Sequence, residues 1–271
     1  MLTRIITGVL AGAVFIGILL LGGYWFAGLV TLMALVGYDE YLRMNKINRV
    51  TGAAVVGVAG LVLFLAPAFG WDASAMKPIQ LEQLLWYLLF LLLAVTVTTK
   101  NRTTIDHASL LLLGVVYLGI GYRYMIETRL SGENGLFWTL FVFLCIWASD
   151  AGAYFTGSLI NKGKLWTTSK LWPAISPNKT IEGAIGGILL AVLTAISFHL
   201  VSPELVSLER AIVIGVIIAI VGTLGDLMQS AYKRVKGIKD TGAILPGHGG
   251  ILDRTDSWLI VFPFLHLMGL I

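Results

Sequence analysis

From Ile5 to Tyr38 the chain runs with little polar interruption. A helix needs about 20 mainly apolar residues to cross the hydrocarbon core of a bilayer. In lipid every backbone polar group must be satisfied within the segment, so such runs fold as helices. This first run also exceeds the roughly 7–15 apolar residues of a cleavable signal core, so it is expected to be retained. Segments of spanning character recur near 5–21, 24–38, 51–69, 82–98, 105–122, 135–157, 180–201, 208–229 and 257–271. The expected fold is therefore all-α, a polytopic integral membrane protein with about nine transmembrane helices. Only Gly22 and Gly23 separate the first two segments, which makes them a tight hairpin or one long bent helix. Composition agrees: 13% of residues are charged, against roughly 25% in soluble domains. No repeat and no Ser- or Pro-rich linker divides the chain, so residues 1–271 read as a single membrane domain. The lone cysteine, Cys145, lies in an apolar run and is expected to pack as a small hydrophobe.

The formal net charge is only +4, so the placement of the basic residues says more than their number, and no nucleic-acid partner is expected. With a cytoplasmic N-terminus, Arg4, Arg43, Lys46, Arg49, Lys100, Arg102, Lys162, Lys164, Lys170, Lys179, Lys233, Arg234, Lys236, Lys239 and Arg254 all fall inside. That leaves Lys77, Arg123, Arg129 and Arg210 outside, so fifteen of nineteen basic residues obey the positive-inside rule. The same orientation puts both long polar loops, 158–179 and 230–256, on the cytoplasmic side. Tryptophans near span ends, Trp25, Trp71, Trp86, Trp138, Trp166, Trp172 and Trp258, suit an interfacial aromatic belt.

A carboxylate at mid-membrane costs about 2.5–3.5 kcal/mol, so acids in spans tend to mark wet, functional cavities. Asp150 and Asp226 both follow long apolar stretches; each reads either as a paired structural carboxylate or as part of a site. The stretch from Gly225 to Asp256 is the most heavily loaded, with Asp226, Ser230, Lys233, Arg234, Lys239, Asp240, His248, Asp253, Arg254 and Asp256. If the chain after Gly250 is helical, Asp253 and Asp256 project from one face, and Asp226 would complete a three-carboxylate site. Mg²⁺ takes one or two protein carboxylates and fills its other positions with water and phosphate oxygens, so a metal-bound phosphate substrate is implied. Pro246-Gly247-His248-Gly249-Gly250 reads as an anion-binding nest or as a flexible turn, and His248 as a phosphate contact, a proton-transfer group or a structural hydrogen-bonder.

In the other loop, Ser176-Pro177-Asn178-Lys179-Thr180 leads into an apolar run. Ser176 reads as an N-cap with Pro177 as the first helical residue. The helix start beside Lys179 and Thr180 is then either a phosphate receiver or simple capping, and Glu182 either complements the dipole or orients Lys179. The small residues of Gly183-Ala184-Ile185-Gly186-Gly187 read as close helix packing.

Ser230, Lys233, Arg234, Lys239, Asp240, Pro246, His248, Gly249, Gly250, Asp253, Arg254 and Asp256 fall in the order and spacing of a signature. In this the chain resembles the phosphatidate cytidylyltransferase family, also called CDP-diacylglycerol synthases. The resemblance extends to Asp150-Ala151-Gly152-Ala153-Tyr154-Phe155, to Ser176-Pro177-Asn178-Lys179-Thr180 with Glu182-Gly183, and to Gly225-Asp226-Leu227. Residues 1–130 match mainly in being membrane helices. Gln229, Tyr232 and Ser158 depart from the family pattern, which has an acid, an aliphatic or Phe, and often a base at these places.

The resemblance implies transfer of a cytidylyl group from CTP to phosphatidic acid at a site carried by the C-terminal part, about 135–271. It implies a catalytic set of Asp226, Asp253, Asp256, Lys239 and Asp240, with Mg²⁺ on Asp226, Asp253 and Asp256. Lys233, Arg234, His248, Gly249, Gly250 and Arg254 would serve CTP or pyrophosphate, as would Lys239. Ser176, Asn178, Lys179 and Thr180 would meet the phosphatidate head group or the nucleotide. A second cation and a homodimer are left open. The implied location is the cytoplasmic membrane of a bacterium, with active-site loops inside. A secondary transporter would place polar residues at the midplane of repeated halves, a pattern this sequence lacks. The nearer rivals are a lipid-alcohol kinase or a CDP-archaeol synthase, which an assay of the head-group product separates.

Overall fold

The computed structural model describes residues 2–69, 80–163 and 169–271; Trp71, Lys77, Lys164 and Trp166 lie outside the described residues. The helices are α1 (Leu2–Leu21), α2 (Gly23–Met44), α3 (Gly52–Leu65), α4 (Leu81–Thr98), α5 (Ile105–Leu130), α6 (Gly135–Gly163), α7 (Ile181–Val201), α8 (Leu208–Val235), α9 (Leu252–Thr255) and α10 (Trp258–Leu267). All but the single-turn α9 coincide with the nine apolar segments. Among the described residues, five helices, α4 to α8, are long and apolar enough to cross a membrane. α1, α3 and α10 supply shorter apolar stretches, and α2 carries Asp39, Glu40 and Arg43. The fold is that of a multi-pass membrane protein, with nine as an approximate number of spans.

The chain forms two compact units, Met1–Ser131 with Asp240–Arg254, and Gly132–Lys239 with Thr255–Ile271. In the first unit α1 and α2 are separate helices, because Gly22 and Gly23 take positive φ of 65° and 51°, a region open mainly to glycine. The chain folds back there, bringing the Phe15 and Phe26 rings to 6.3 Å. Arg129 seals the corner: its Nε donates to Leu19 O at 2.8 Å and its Nη2 to Leu20 O at 3.3 Å, a cation on the carbonyl end of α1. The core gathers Phe26, Val30, Ala34, Tyr38, Phe64, Leu111, Val115, Leu118 and Tyr122, all at most 1% exposed.

Among the helices that outrun their apolar segments, α2 and α5 do so where their charges find partners. α5 continues past residue 122 to Leu130, with Arg123 Nε on Glu127 Oε1 at 2.7 Å and Arg129 on α1. α2 continues past Tyr38 to Met44, with Asp39 paired to Arg43 and Arg49 and Glu40 buried in polar contacts described below.

In the second unit α6 and α7 pack backbone to backbone. A Cβ on Gly152 would lie 2.5 Å from Gly186 O, and one on Gly187 would lie 2.9 Å from Ser149 O, so the glycine-rich start of α7 serves close packing. Cys145, buried in α6, directs its Sγ to Ala191 O at 3.6 Å. Gly152→Ala is expected to force these helices apart at a cost of about 1–3 kcal/mol, seen as a lower Tm in detergent; an unchanged Tm would contradict this packing. Trp258 packs edge-on to Phe143 at 4.8 Å and Trp138 holds Arg210 over its ring at 5.4 Å. These two therefore pack against protein, whereas Trp25, Trp86 and Trp172 are exposed as belt residues should be.

The expected N-cap at Ser176 is corrected. Ser176–Thr180 is a strand, β2, paired antiparallel with β1 (Lys170–Trp172). The α7 cap is Thr180, whose Oγ1 accepts from Gly183 N at 3.0 Å. Pro177 fits because a two-stranded hairpin has free edges where a missing N–H costs nothing.

Candidate active site

The polar residues predicted from sequence form one cluster in each unit. In the second unit, Asp226, Ser230 and Lys233 recur at i, i+4 and i+7 along α8 and share a face. Ser230 Oγ donates weakly to Asp226 Oδ1 at 3.4 Å. The β1–β2 hairpin delivers Lys179, whose Nζ lies 2.5 Å from Asp226 Oδ2, and it meets α8 again where Arg234 Nε donates to Ile175 O at 3.4 Å. Asn178 is exposed on β2 and Ser176 is partly buried. Lys239 is exposed beyond the end of α8.

Asp256 occupies the turn between α9 and α10 and accepts from Ser257 N at 2.9 Å. Gly225 is what lets that turn approach α8: a Cβ there would stand 2.9 Å from Asp256 O and 3.2 Å from Ser257 Cα. The glycine just before Asp226 thus admits Asp256 beside it. Burial, then the Asp226 carboxylate, and more weakly Asp150, push Asp256 up to about 7, with the Ser257 N–H and Lys233 opposing. Three carboxylates, Asp150, Asp226 and Asp256, therefore share a field that Lys179 and Lys233 partly offset. The donors are hard carboxylate oxygens, of which Mg²⁺ takes one or two from a protein.

The first unit holds the glycine-rich segment. His248 N donates to Leu245 O at 2.8 Å and Leu245 N to Gly249 O at 3.1 Å, closing a turn in which Gly247 and Gly249 take φ of 80° and 82°. Asp253 Oδ2 accepts from Thr241 N at 2.8 Å, Thr241 Oγ1 at 3.0 Å and Gly250 N at 3.0 Å. Glu40, 1% exposed, accepts from Ile251 N at 2.9 Å on Oε1 and from Leu252 N at 3.0 Å on Oε2, and its Oε2 lies 3.0 Å from Thr241 Oγ1, whose single proton is shared with Asp253. The N–H groups of Gly250, Ile251 and Leu252 thus hold the protein's own carboxylates. Asp240 and Arg254 are exposed, and the His248 Nδ1 is buried with no hydrogen-bond partner among the described residues.

The structure therefore brings together Lys179, Asp226, Ser230, Lys233 and Asp256 in one unit, and Asp240, Gly249, Gly250 and Asp253 in the other. The expected trio of Asp226, Asp253 and Asp256 divides between the units. Among the described residues no three His, Cys, Asp or Glu side chains stand as a ready cation cage. Sequence reasoning missed Glu40 and Thr241. A signal for Glu40 was present, since it is a carboxylate at the end of an apolar run, the same rule that singled out Asp150 and Asp226. Gln229, already noted as a departure, is 3% exposed and its Nε2 has no partner among the described residues.

Comparison with known proteins adds a family. The model of the cytidylyltransferase family matches residues 2–271. The chain is 40% identical over 269 residues to the phosphatidate cytidylyltransferase of Bacillus subtilis, covering 98% of this chain and 96% of that one. It is 38% identical over 269 residues to the enzyme of the same name from Staphylococcus saprophyticus, covering 99% and 98%. It is also 38% identical over 270 residues to that from Staphylococcus aureus, covering 99% and 98%.

Proposed function

This chain belongs to the cytidylyltransferase family and is a membrane nucleotidyltransferase, and from that premise we propose that it transfers a cytidylyl group from CTP to phosphatidic acid. The products are CDP-diacylglycerol, left in the membrane, and pyrophosphate. The observation that carries the reading is the cluster of Lys179, Asp226 and Asp256, in which acids and bases of the family pattern converge on one helix face. A phosphate oxygen of phosphatidate attacks the α-phosphorus of CTP. The bond from that phosphorus to the bridging oxygen of the β-phosphate breaks, and pyrophosphate departs. The attacking oxygen is already anionic, so the protein's task is positioning and charge neutralisation rather than proton removal.

Asp226 and Asp256 are the residues proposed to hold Mg²⁺ in the second unit. Held by these two carboxylates, Mg²⁺ would supply charge neutralisation to the reacting phosphates. Lys233, Arg234 and Lys239 in that unit are proposed to serve CTP or pyrophosphate, and so are His248, Gly249, Gly250 and Arg254 in the first. Asp253 fixes the glycine-rich segment through Thr241 and Gly250, and Asp240 stands at the head of that segment. Ser176, Asn178, Lys179 and Thr180 on the hairpin meet the phosphatidate head group. The positive-inside bias supports a cytoplasmic N-terminus with both polar loops facing the cytosol, where CTP is found, while phosphatidate reaches the site from the bilayer.

Purified protein in micelles of phosphatidate is expected to release pyrophosphate from CTP only when both lipid and Mg²⁺ are present. Diacylglycerol or an isoprenoid alcohol in place of phosphatidate is expected to give none. Release driven by an alcohol, or none with any phosphatidate, would overturn the reading.

A pH dependence follows from Asp256. Its raised pKa means that the cation-free fold takes up a proton, whereas cation binding requires the ionised carboxylate. Mg²⁺ affinity is therefore expected to fall as pH drops through about 7, and turnover at limiting Mg²⁺ to fall with it. Saturating Mg²⁺ is expected to move the midpoint to lower pH. In chelator the same group makes folding less favourable as pH rises from the ordinary carboxylate range toward 7. Pyrophosphate release measured across pH 5–9 at two Mg²⁺ levels checks this, and a midpoint independent of Mg²⁺ would contradict it.

A further inference from the structure

We propose that Glu40, on α2 and some 200 residues from the signature segment in sequence, is a positioning residue for nucleotide binding. This rests on the cytidylyltransferase reading above. Glu40 is buried to 1% exposure at the end of a membrane helix, a costly place for a carboxylate unless it is fully engaged. Both of its oxygens are used on one short piece of chain: Oε1 by Ile251 N, and Oε2 by Leu252 N and Thr241 Oγ1. A Cβ on Gly250 would collide with Glu40 Oε2, and one on Gly242 would lie 2.5 Å from Glu40 Oε1. Gly242 and Gly250 thus leave room for the carboxylate that ties both ends of the intervening segment.

The consequence reaches the residues proposed to meet CTP. Thr241 Oγ1 stands 3.0 Å from both Glu40 Oε2 and Asp253 Oδ2, so Glu40 and Asp253 share a hydroxyl. Asp253 in turn receives Gly250 N. The stretch fixed at its two ends by this network includes the turn at Leu245–Gly249 and therefore His248 and Gly249. Leu252, itself tied through its N–H, packs its side chain toward Gly37 one turn earlier on α2, where a Cβ would meet it at 2.9 Å. α2 is accordingly the platform against which the glycine-rich segment is registered, and Glu40 is its polar anchor. Removing that anchor takes away the carboxylate on which Ile251 N and Leu252 N are now registered, and the segment is expected to shift.

The test uses the full-length protein with Glu40→Gln, which keeps the side-chain shape but sets an amide NH₂ against one of the backbone donors. KM for CTP is expected to rise about tenfold or more while KM for phosphatidate stays within about twofold, as a sub-ångström to ångström displacement of a binding segment would produce. A role in folding alone would lower kcat through the active fraction and leave both KM values unchanged, and that result would overturn the proposal. Hydrogen exchange is read on the same samples: the amides of Gly250, Ile251 and Leu252 are expected to exchange faster in the variant, with α3 and α5 unchanged. Unchanged exchange at these amides would equally overturn it. If Glu40→Gln does not yield folded protein, Thr241→Val removes the shared hydroxyl and is expected to raise KM for CTP about threefold with the same selectivity. A wild-type protein without turnover would sink the underlying functional reading alone, and the exchange comparison would still decide whether Glu40 holds the segment.

Discussion

Asp256→Asn is expected to reduce turnover on the order of 10³-fold and to abolish tight Mn²⁺ binding, with little loss of Tm. The carboxylate lies in a field where burial and Asp226 already disfavour its charge. Asparagine removes that charge while keeping nearly the same shape, and its side-chain oxygen still accepts from Ser257 N. The substitution relieves the repulsion, so the cation-free protein is not destabilised and its Tm in chelator is expected to hold or rise. Loss of activity together with a maintained Tm is the signature of a ligand for a cation, since a structural carboxylate would give the reverse. Asp226→Asn is expected to be as severe, because it removes a ligand and leaves Lys179 without its partner at 2.5 Å. Mn²⁺ binding followed by electron paramagnetic resonance, with pyrophosphate release on the same samples, reads both. Near-wild-type turnover in either variant would remove the metal role from this pair.

The Lys179 ion pair leads to a second large effect with two opposite signs. In this structure the ammonium sits on Asp226, where a divalent cation is proposed to bind, so the two compete for one oxygen. Lys179→Met is expected to tighten Mn²⁺ binding by about three- to tenfold, a modest gain because the pair is partly exposed and screened. The same variant is expected to lose on the order of 10²-fold in turnover, since the displaced ammonium is the group available to neutralise substrate phosphate on the hairpin. A lysine that served only to fix the hairpin would not strengthen cation binding when removed. Unchanged or weaker Mn²⁺ affinity in Lys179→Met would contradict the exchange.

The apolar segments were legible because spanning a bilayer demands length and hydrophobicity together, and each of the nine has its helix. Their ends were less so. The sequence reading stopped α2 at Tyr38 and α5 at residue 122, where charges begin, yet both helices continue because those charges pair within the fold. That same stop concealed Glu40. The hairpin Lys170–Thr180 was hidden for a different reason: Ser-Pro before an apolar run fits a helix start locally, and only pairing across the loop makes Ser176–Thr180 a strand. The signature residues were visible as a pattern of acids, bases and glycines. Their division between two units was not visible, because it depends on contacts between segments distant in sequence, such as Glu40 with Ile251 and Leu252 and Gly225 with Asp256.

The central claim is that a nucleotidyl group moves to a lipid phosphate. The most direct measurement supplies CTP carrying label on the α-phosphorus in one reaction and on the γ-phosphorus in another. Phosphatidate micelles, Mg²⁺ and the purified protein are the same in both, and the lipid phase is counted. The account predicts lipid-bound label from α-labelled CTP and none from γ-labelled CTP, whose label leaves as pyrophosphate. Label in the lipid from the γ position would make the protein a lipid kinase and contradict the account.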